Sequence, residues 1–148
     1  MRRKFIIIIG LTMAVAGLYL FFHTRSQKIV LGGETFFVEV AATPEIRGRG
    51  LSGRRSLAPD RGMLFRYHTR DRYGFWMKDM RFPLDILWLS SLDAQTSEIV
   101  DIAPSAPPDA SDSPRVYEPR LPADDVLELT AGTAARLHLK IGDRAEFP

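Results

Sequence analysis

Eighteen consecutive residues near the start of the chain, Phe5 to Phe22 (FIIIIGLTMAVAGLYLFF), carry no charge. As a helix rising about 1.5 Å per residue, such a run reaches about 27 Å, close to the roughly 30 Å hydrocarbon layer of a bilayer. Arg2, Arg3 and Lys4 precede it, so the positive-inside rule predicts a cytoplasmic N-terminus and a single pass through the cytoplasmic (inner) membrane. Tyr19, Phe21 and Phe22 close the far end with rings suited to the headgroup region. Everything downstream is then expected on the extracytoplasmic, periplasmic side.

Other interpretations of the segment compete. Ala14-Val15-Ala16 has the small-residue spacing of a signal-peptidase site. Cleavage there would leave Gly17 to Phe22 as an apolar exposed terminus, which favours an uncleaved anchor. Arg2-Arg3-Lys4-Phe5 matches only part of a twin-arginine signal. A buried core helix fits poorly, because the run shows no polar face.

The division expected is therefore an anchor and short tether over residues 1–28, and one β-rich domain over 29–148. Lys28 to Leu31 and Thr35 to Val40 are β-prone runs around Gly32-Gly33, a hairpin signal. Thr43-Pro44-Glu45 reads as N-cap, N1 proline and first-turn acid of a short helix that Gly48 and Gly50 weaken. Further strands are expected at Met63–Phe65, Gly74–Met77, Leu84–Leu89, Ile99–Ile102, Val126–Leu129 and Arg144–Phe147. A second short helix is expected after Thr130 or Thr133. Ala103 to Pro122 holds six of the ten prolines and reads as a long surface loop. Seven or eight short strands with one or two short helices predict a mainly β, compact antiparallel β sandwich or barrel.

The absence of cysteine excludes disulfides, thiolate metal sites and a cysteine nucleophile. From Ile29 onward acids outnumber bases 18 to 15, so the domain is no polycation and nucleic acid is not an expected partner. Charge is nevertheless segregated: residues 47–81 carry a net +7 and residues 82–148 a net −7. Either the two halves neutralise one another across the fold, or a basic face meets an anionic envelope component.

Familiar catalytic patterns are missing, including GxGxxG, GxxxxGK[ST], GxSxG and HExxH. His68 and His138 are isolated, and Met63, Met77 and Met80 lie among aromatics as core filler, so no metal and no cofactor is expected. The informative segment is Phe75 to Asp85 (FWMKDMRFPLD), which packs bulky apolar residues around charges. Asp85 interrupts an apolar strand between Leu84 and Ile86, and Glu128 does the same between Leu127 and Leu129. On an outward face each acid is ordinary. If buried, each needs partners, with backbone N–H groups, water, or an arginine such as Arg54 or Arg47 as candidates.

Arg47-x-x-Gly50-Leu51-x-x-Arg54-x-x-Leu57 is followed in order by Gly62-Met63-Leu64-Phe65, Phe75-Trp76-Met77-Lys78, Pro83-Leu84-Asp85, Leu127-Glu128-Leu129-x-x-Gly132 and Gly142-Asp143. Together these blocks resemble the family known as domain of unknown function 192, small bacterial and archaeal proteins often exported or membrane-anchored. The resemblance spans about Ile29 to Phe147 and implies one compact β-rich domain without an established activity. Ser52 stands where relatives often carry methionine, Asp79-Met80 where Asn-Thr is usual, and the proline-rich loop lacks the cysteines relatives often show.

The function expected is that of an envelope binding or accessory module. Its candidate ligand-binding residues are Arg47, Arg54, Trp76, Lys78, Asp79, Asp85 and Glu128. Arg54 and Lys78 would hold an anionic group while Trp76 stacks on a ring or sugar face. The alternative is a hydrolase-type enzyme on envelope material with Asp85 or Glu128 as general acid or base. The sequence leaves the oligomeric state open.

Overall fold

The structure, a computed structural model, describes residues 25–148. The apolar run Phe5–Phe22 lies outside them. Among the described residues no helix is long and apolar enough to cross a membrane.

The hairpin expected around Gly32-Gly33 forms from β1 (Ser26–Leu31) and β2 (Glu34–Ala41), with both glycines in the left-handed region. Alternation sends Ile29, Leu31, Phe36 and Val38 to one side, where all four are buried. Helix α1 (Pro44–Arg49) follows, with the Thr43 hydroxyl accepting from the Ile46 N–H at 3.4 Å and Pro44 in the first turn. It ends at Gly50, whose φ of 53° suits a residue without a Cβ.

Strands β3 (Arg61–Asp71), β4 (Phe75–Trp76), β5 (Leu84–Ser91), β6 (Thr96–Ala106), β7 (Val116–Tyr117) and β8 (Ala123–Thr130) come next. Helix α2 (Thr133–Arg136) and β9 (Arg144–Glu146) complete the order. Seven strands close a barrel in the order β1-β2-β3-β8-β5-β6-β9, and β4 with β7 forms a separate two-stranded ribbon. Of the two architectures expected, the barrel is the one adopted.

Two features depart from expectation. β2 and β3 run parallel, while every other barrel pairing is antiparallel. A period-2 pattern records which face a residue takes and not the strand's direction, and the crossover through α1 reverses the sense of the return. Second, β7 and the end of β6 lie inside the proline-rich stretch expected to be loop. Proline is tolerated there because these segments are edges needing few ladder donors.

Packing explains why β5 is buried from Leu84 to Ser90. Leu87 and Leu89 fill the barrel with Leu64, Leu127, Leu129 and Ile99. Leu84, Ile86 and Trp88 face outward but lie under a second layer with Met63, Phe65, Phe75, Met77 and Val126. The α1 crossover and the β4–β7 ribbon form that layer. Its aromatic contacts are edge-on, with Phe65 and Phe75 centroids 4.8 Å apart and Phe75 and Trp88 6.4 Å apart. The Trp88 indole N–H donates to the Tyr73 carbonyl at 2.8 Å, pinning the approach to β4.

Three of the segregated charges on β3 and just after it pair with acids of the later chain. Arg66 pairs with Asp125 at 3.5 Å, Arg70 with Asp124 at 3.9 Å and Arg72 with Glu118 at 3.9 Å.

Gly62 marks the tightest point between β3 and β8. A Cβ there would stand 2.6 Å from the Glu128 carbonyl oxygen and 2.7 Å from Leu129 Cδ2. Gly62→Ala is therefore expected to cost about 1–3 kcal/mol by forcing strand displacement. A denaturation midpoint equal to that of the unmodified chain would contradict this.

Candidate ligand cleft

The parallel β2–β3 pairing forces the chain over the outside of the barrel, and a cleft opens where that crossover meets the ribbon. Its volume is about 140 Å³. The end of α1 and the following turn contribute Arg47, Arg49, Gly50 and Ser52. Strand β3 contributes Phe65 and Tyr67, β4 contributes Phe75 and Trp76, and Met80 closes one side. Glu128 of β8 lies at the floor.

Glu128 sits on the outward face of the barrel, as strict alternation with Leu127 and Leu129 requires, yet the second layer leaves it only 5% exposed. It stands opposite Met63 on β3 and Ile86 on β5. Among the described residues no hydrogen bond reaches its carboxyl, whose oxygens open onto the cleft. Burial pushes this carboxyl up to about 8, and the positive charge of Arg54 pulls it only partly back. At neutral pH it is mostly a neutral acid.

The mouth is basic and aromatic. Arg47 Nη1 donates to the carbonyls of Ala42 at 2.7 Å and Arg66 at 3.0 Å, which ties α1 to β3. Its guanidinium lies 4.8 Å from the Tyr67 ring centroid. Tyr67 stacks on Tyr73 at 3.5 Å, and burial pushes its hydroxyl up to about 12. Trp76 remains 58% exposed beside the opening.

Of the seven residues singled out in the sequence, Arg47, Trp76 and Glu128 meet around this cleft. Arg54 stands behind its wall. Its guanidinium makes a two-pronged pair with Glu39 of β2, at 2.5 and 2.8 Å, which holds the segment after α1. Lys78 and Asp79 are exposed in the turn after β4 and do not line the cleft. Their carbonyls accept from Ser52 Oγ at 3.1 Å and from the Gly53 N–H at 2.9 Å, so the turn buttresses the mouth through its backbone.

Asp85 lies elsewhere. It is fully buried at one end of the barrel, where Oδ1 accepts from the N–H groups of Ser105 at 2.8 Å and Gly132 at 3.2 Å. Oδ2 accepts from the Ala134 N–H at 2.7 Å. The partners are backbone amides, one of the three kinds considered, and no arginine is among them.

Arg49, Phe65 and Tyr67 line the cleft without having been singled out. A signal for two of them was present: Met63, Phe65 and Tyr67 continue one period-2 face past the point where the apolar run stops. Among the described residues, no three His, Asp or Glu side chains converge as a cation site.

A family model described as an uncharacterized ACR, domain of unknown function 192, matches residues 27–147. The chain belongs to this family. Domain 192 thus covers the barrel, both helices and the ribbon. Two solved structures are similar. A Sinorhizobium meliloti protein described as a candidate transcription regulator is 36% identical with a TM-score of 0.73, covering 84% of this chain and 95% of its own. A protein of unknown function from Novosphingobium aromaticivorans is 31% identical with a TM-score of 0.71, covering 82% of this chain and 84% of its own. No curated protein matches the chain.

Proposed function

We propose that this domain 192 protein is a membrane-anchored, extracytoplasmic binding module whose ligand enters the cleft above Glu128. The observation that carries it is a largely buried side chain whose carboxyl takes no hydrogen bond from the described residues and lines a cavity whose mouth holds Arg47, Arg49 and the exposed ring of Trp76. Buried polar groups are normally satisfied within the fold, and one left open to a cavity is suited to a guest. Arg47 and Arg49 supply charge for an anionic group, taking the part first given to Arg54 and Lys78, while Trp76 supplies a stacking face. At about 140 Å³ the cavity holds one small head group, well below the roughly 300–1,000 Å³ common for whole drug-sized ligands.

The anchor is the apolar run Phe5–Phe22, with only three residues between it and β1, so the barrel would hang close to the outer surface of the membrane. A tag after Pro148 is expected to be cut by protease added to intact spheroplasts. Protection until lysis would overturn the outward placement.

For binding, the full chain is incubated with a small-molecule extract of the envelope, and retained compounds are measured by mass spectrometry. Trp76→Ala is expected to lower retention at least tenfold while changing stability by less than about 0.5 kcal/mol, as exposed substitutions do. Equal retention by both proteins would remove the cleft from consideration.

One observation favours a second function. A carboxyl held up to about 8 in a cleft is tuned for general acid–base chemistry near neutral pH. In an envelope hydrolase that role would fall to Glu128, because both Asp85 oxygens are occupied by amides. Loss of a turnover signal in Glu128→Gln, with ligand retention intact, would select the enzyme.

A further inference from the structure

Glu128 is met by few other ionising groups. From α1 come Arg47 and Arg49, and from the segment after it Arg54, whose charge is matched by Glu39 of β2. Strand β3 brings Tyr67, while the neighbours from β4 and β5 are Phe75, Trp76 and Ile86, which carry no charge. Glu128 is the one acid lining the cleft among the described residues.

With Glu128 neutral, the lining has two guanidiniums and no balancing anion. An organic cation would meet those guanidiniums at the mouth. An oxyanion would be drawn in by them. What it finds at the floor then depends on one proton. A carboxylic acid offers an O–H donor, whereas a carboxylate is acceptor-only and repels a second anion.

We propose that the cleft takes a small, flat organic acid whose oxyanion accepts a hydrogen bond from the protonated Glu128 carboxyl, so that binding requires Glu128 to keep its proton. The proposal rests on the cleft being a binding site and names its ligand class and its control. The flat portion lies against Trp76 and Phe75, and Arg47 and Arg49 neutralise the charge. No proton is transferred: Glu128 keeps it on binding and releases it to solvent only when alkaline pH empties the site. Tyr67, pushed up to about 12, stays protonated until well above the pH at which Glu128 ionises.

Benzoate, which is fully ionised at neutral and alkaline pH, serves as the probe. The full chain in detergent micelles is titrated at pH 7 and pH 10, following the non-exchanging ring C–H signals of Phe75, Trp76 and Tyr67 by NMR. If only the protonated form binds, a carboxyl at about 8 makes affinity fall about 100-fold between those values. Glu128→Gln keeps an N–H donor but cannot ionise, so it is expected to bind benzoate equally at both. Affinity that rises with pH, or a pH profile unchanged in Glu128→Gln, would overturn the proton requirement while leaving the cleft a binding site. Shifts absent from all three probes at pH 7 would overturn the proposal and the anion-binding cleft with it.

Discussion

Glu128→Gln is expected to abolish most of the loss of stability that the unmodified domain undergoes between about pH 5 and pH 8. The carboxyl moves from an ordinary value of 4.5 in the open chain up to about 8 in the fold, chiefly through burial. The folded state therefore binds more protons than the unfolded state between those values, and stability falls as pH rises. The contribution is complete below pH 4.5 and lost through pH 8. A shift of this size corresponds to roughly 5 kcal/mol, a large part of the 5–15 kcal/mol that holds a typical domain. Glu34, Glu45, Asp93 and Asp109 do not mask it. Hydrogen bonds hold their carboxyls low, so their contributions are lost on the acid side of the window. Asp125 adds a smaller effect of the same sign, because burial raises it against the pull of Arg66. Chemical denaturation at pH 5, 6, 7 and 8, followed by the near-ultraviolet signal of buried Trp88, measures the slope. An identical slope in Glu128→Gln would show that this carboxyl ionises without strain.

The same substitution bears on how far the site could be read from sequence. Glu128 and Asp85 look alike there, each an acid between two aliphatic residues of a β-prone run. Alternation places them on opposite faces of adjacent strands, for Asp85 shares its side with Leu87 and Leu89 while Glu128 opposes Leu127 and Leu129. What alternation omits is the second layer. An outward acid on a bare barrel would be solvated, and only the crossover and ribbon turn the outer face of β8 into the floor of a cleft. The strands themselves were legible because the apolar runs were short and bounded by Gly, Pro and Asp. Helix α1 was legible from its cap. The closure of the barrel and the parallel β2–β3 pairing were not, since both depend on pairings distant in sequence. Arg54 illustrates the limit for side chains. Its place beside Gly50 and Leu51 marked it for attention, yet its partner Glu39 lies on another strand and leaves it little freedom to hold a ligand.

Asp85→Ala is expected to destabilise the domain by about 3–5 kcal/mol, because several backbone donors lose their acceptor together. Three backbone N–H groups converge on this carboxylate, from the end of β6, from Gly132 and from the first turn of α2. Removing it takes the acceptor from all three donors at once, and the Ala134 N–H among them is buried. One of them belongs to Ser105, whose φ of 50° is costly for a residue with a Cβ, so the bond also secures a strained backbone. Asp85→Asn serves as the sharper test, because the side chain keeps its size. One acceptor oxygen becomes an NH₂ donor facing a backbone N–H, and like groups cannot bond. Both variants are expected to unfold at lower denaturant, with faster hydrogen exchange at Ser105 and Ala134 preceding global opening. If Asp85→Asn instead folds with unchanged stability, the three amides are not what requires an acid here, and a chemical role for Asp85 regains force. If it unfolds as expected, the acid in Pro83-Leu84-Asp85 is accounted for by architecture: it locks β5, β6 and α2 at the end of the barrel, and Glu128 is left as the acid available for a ligand.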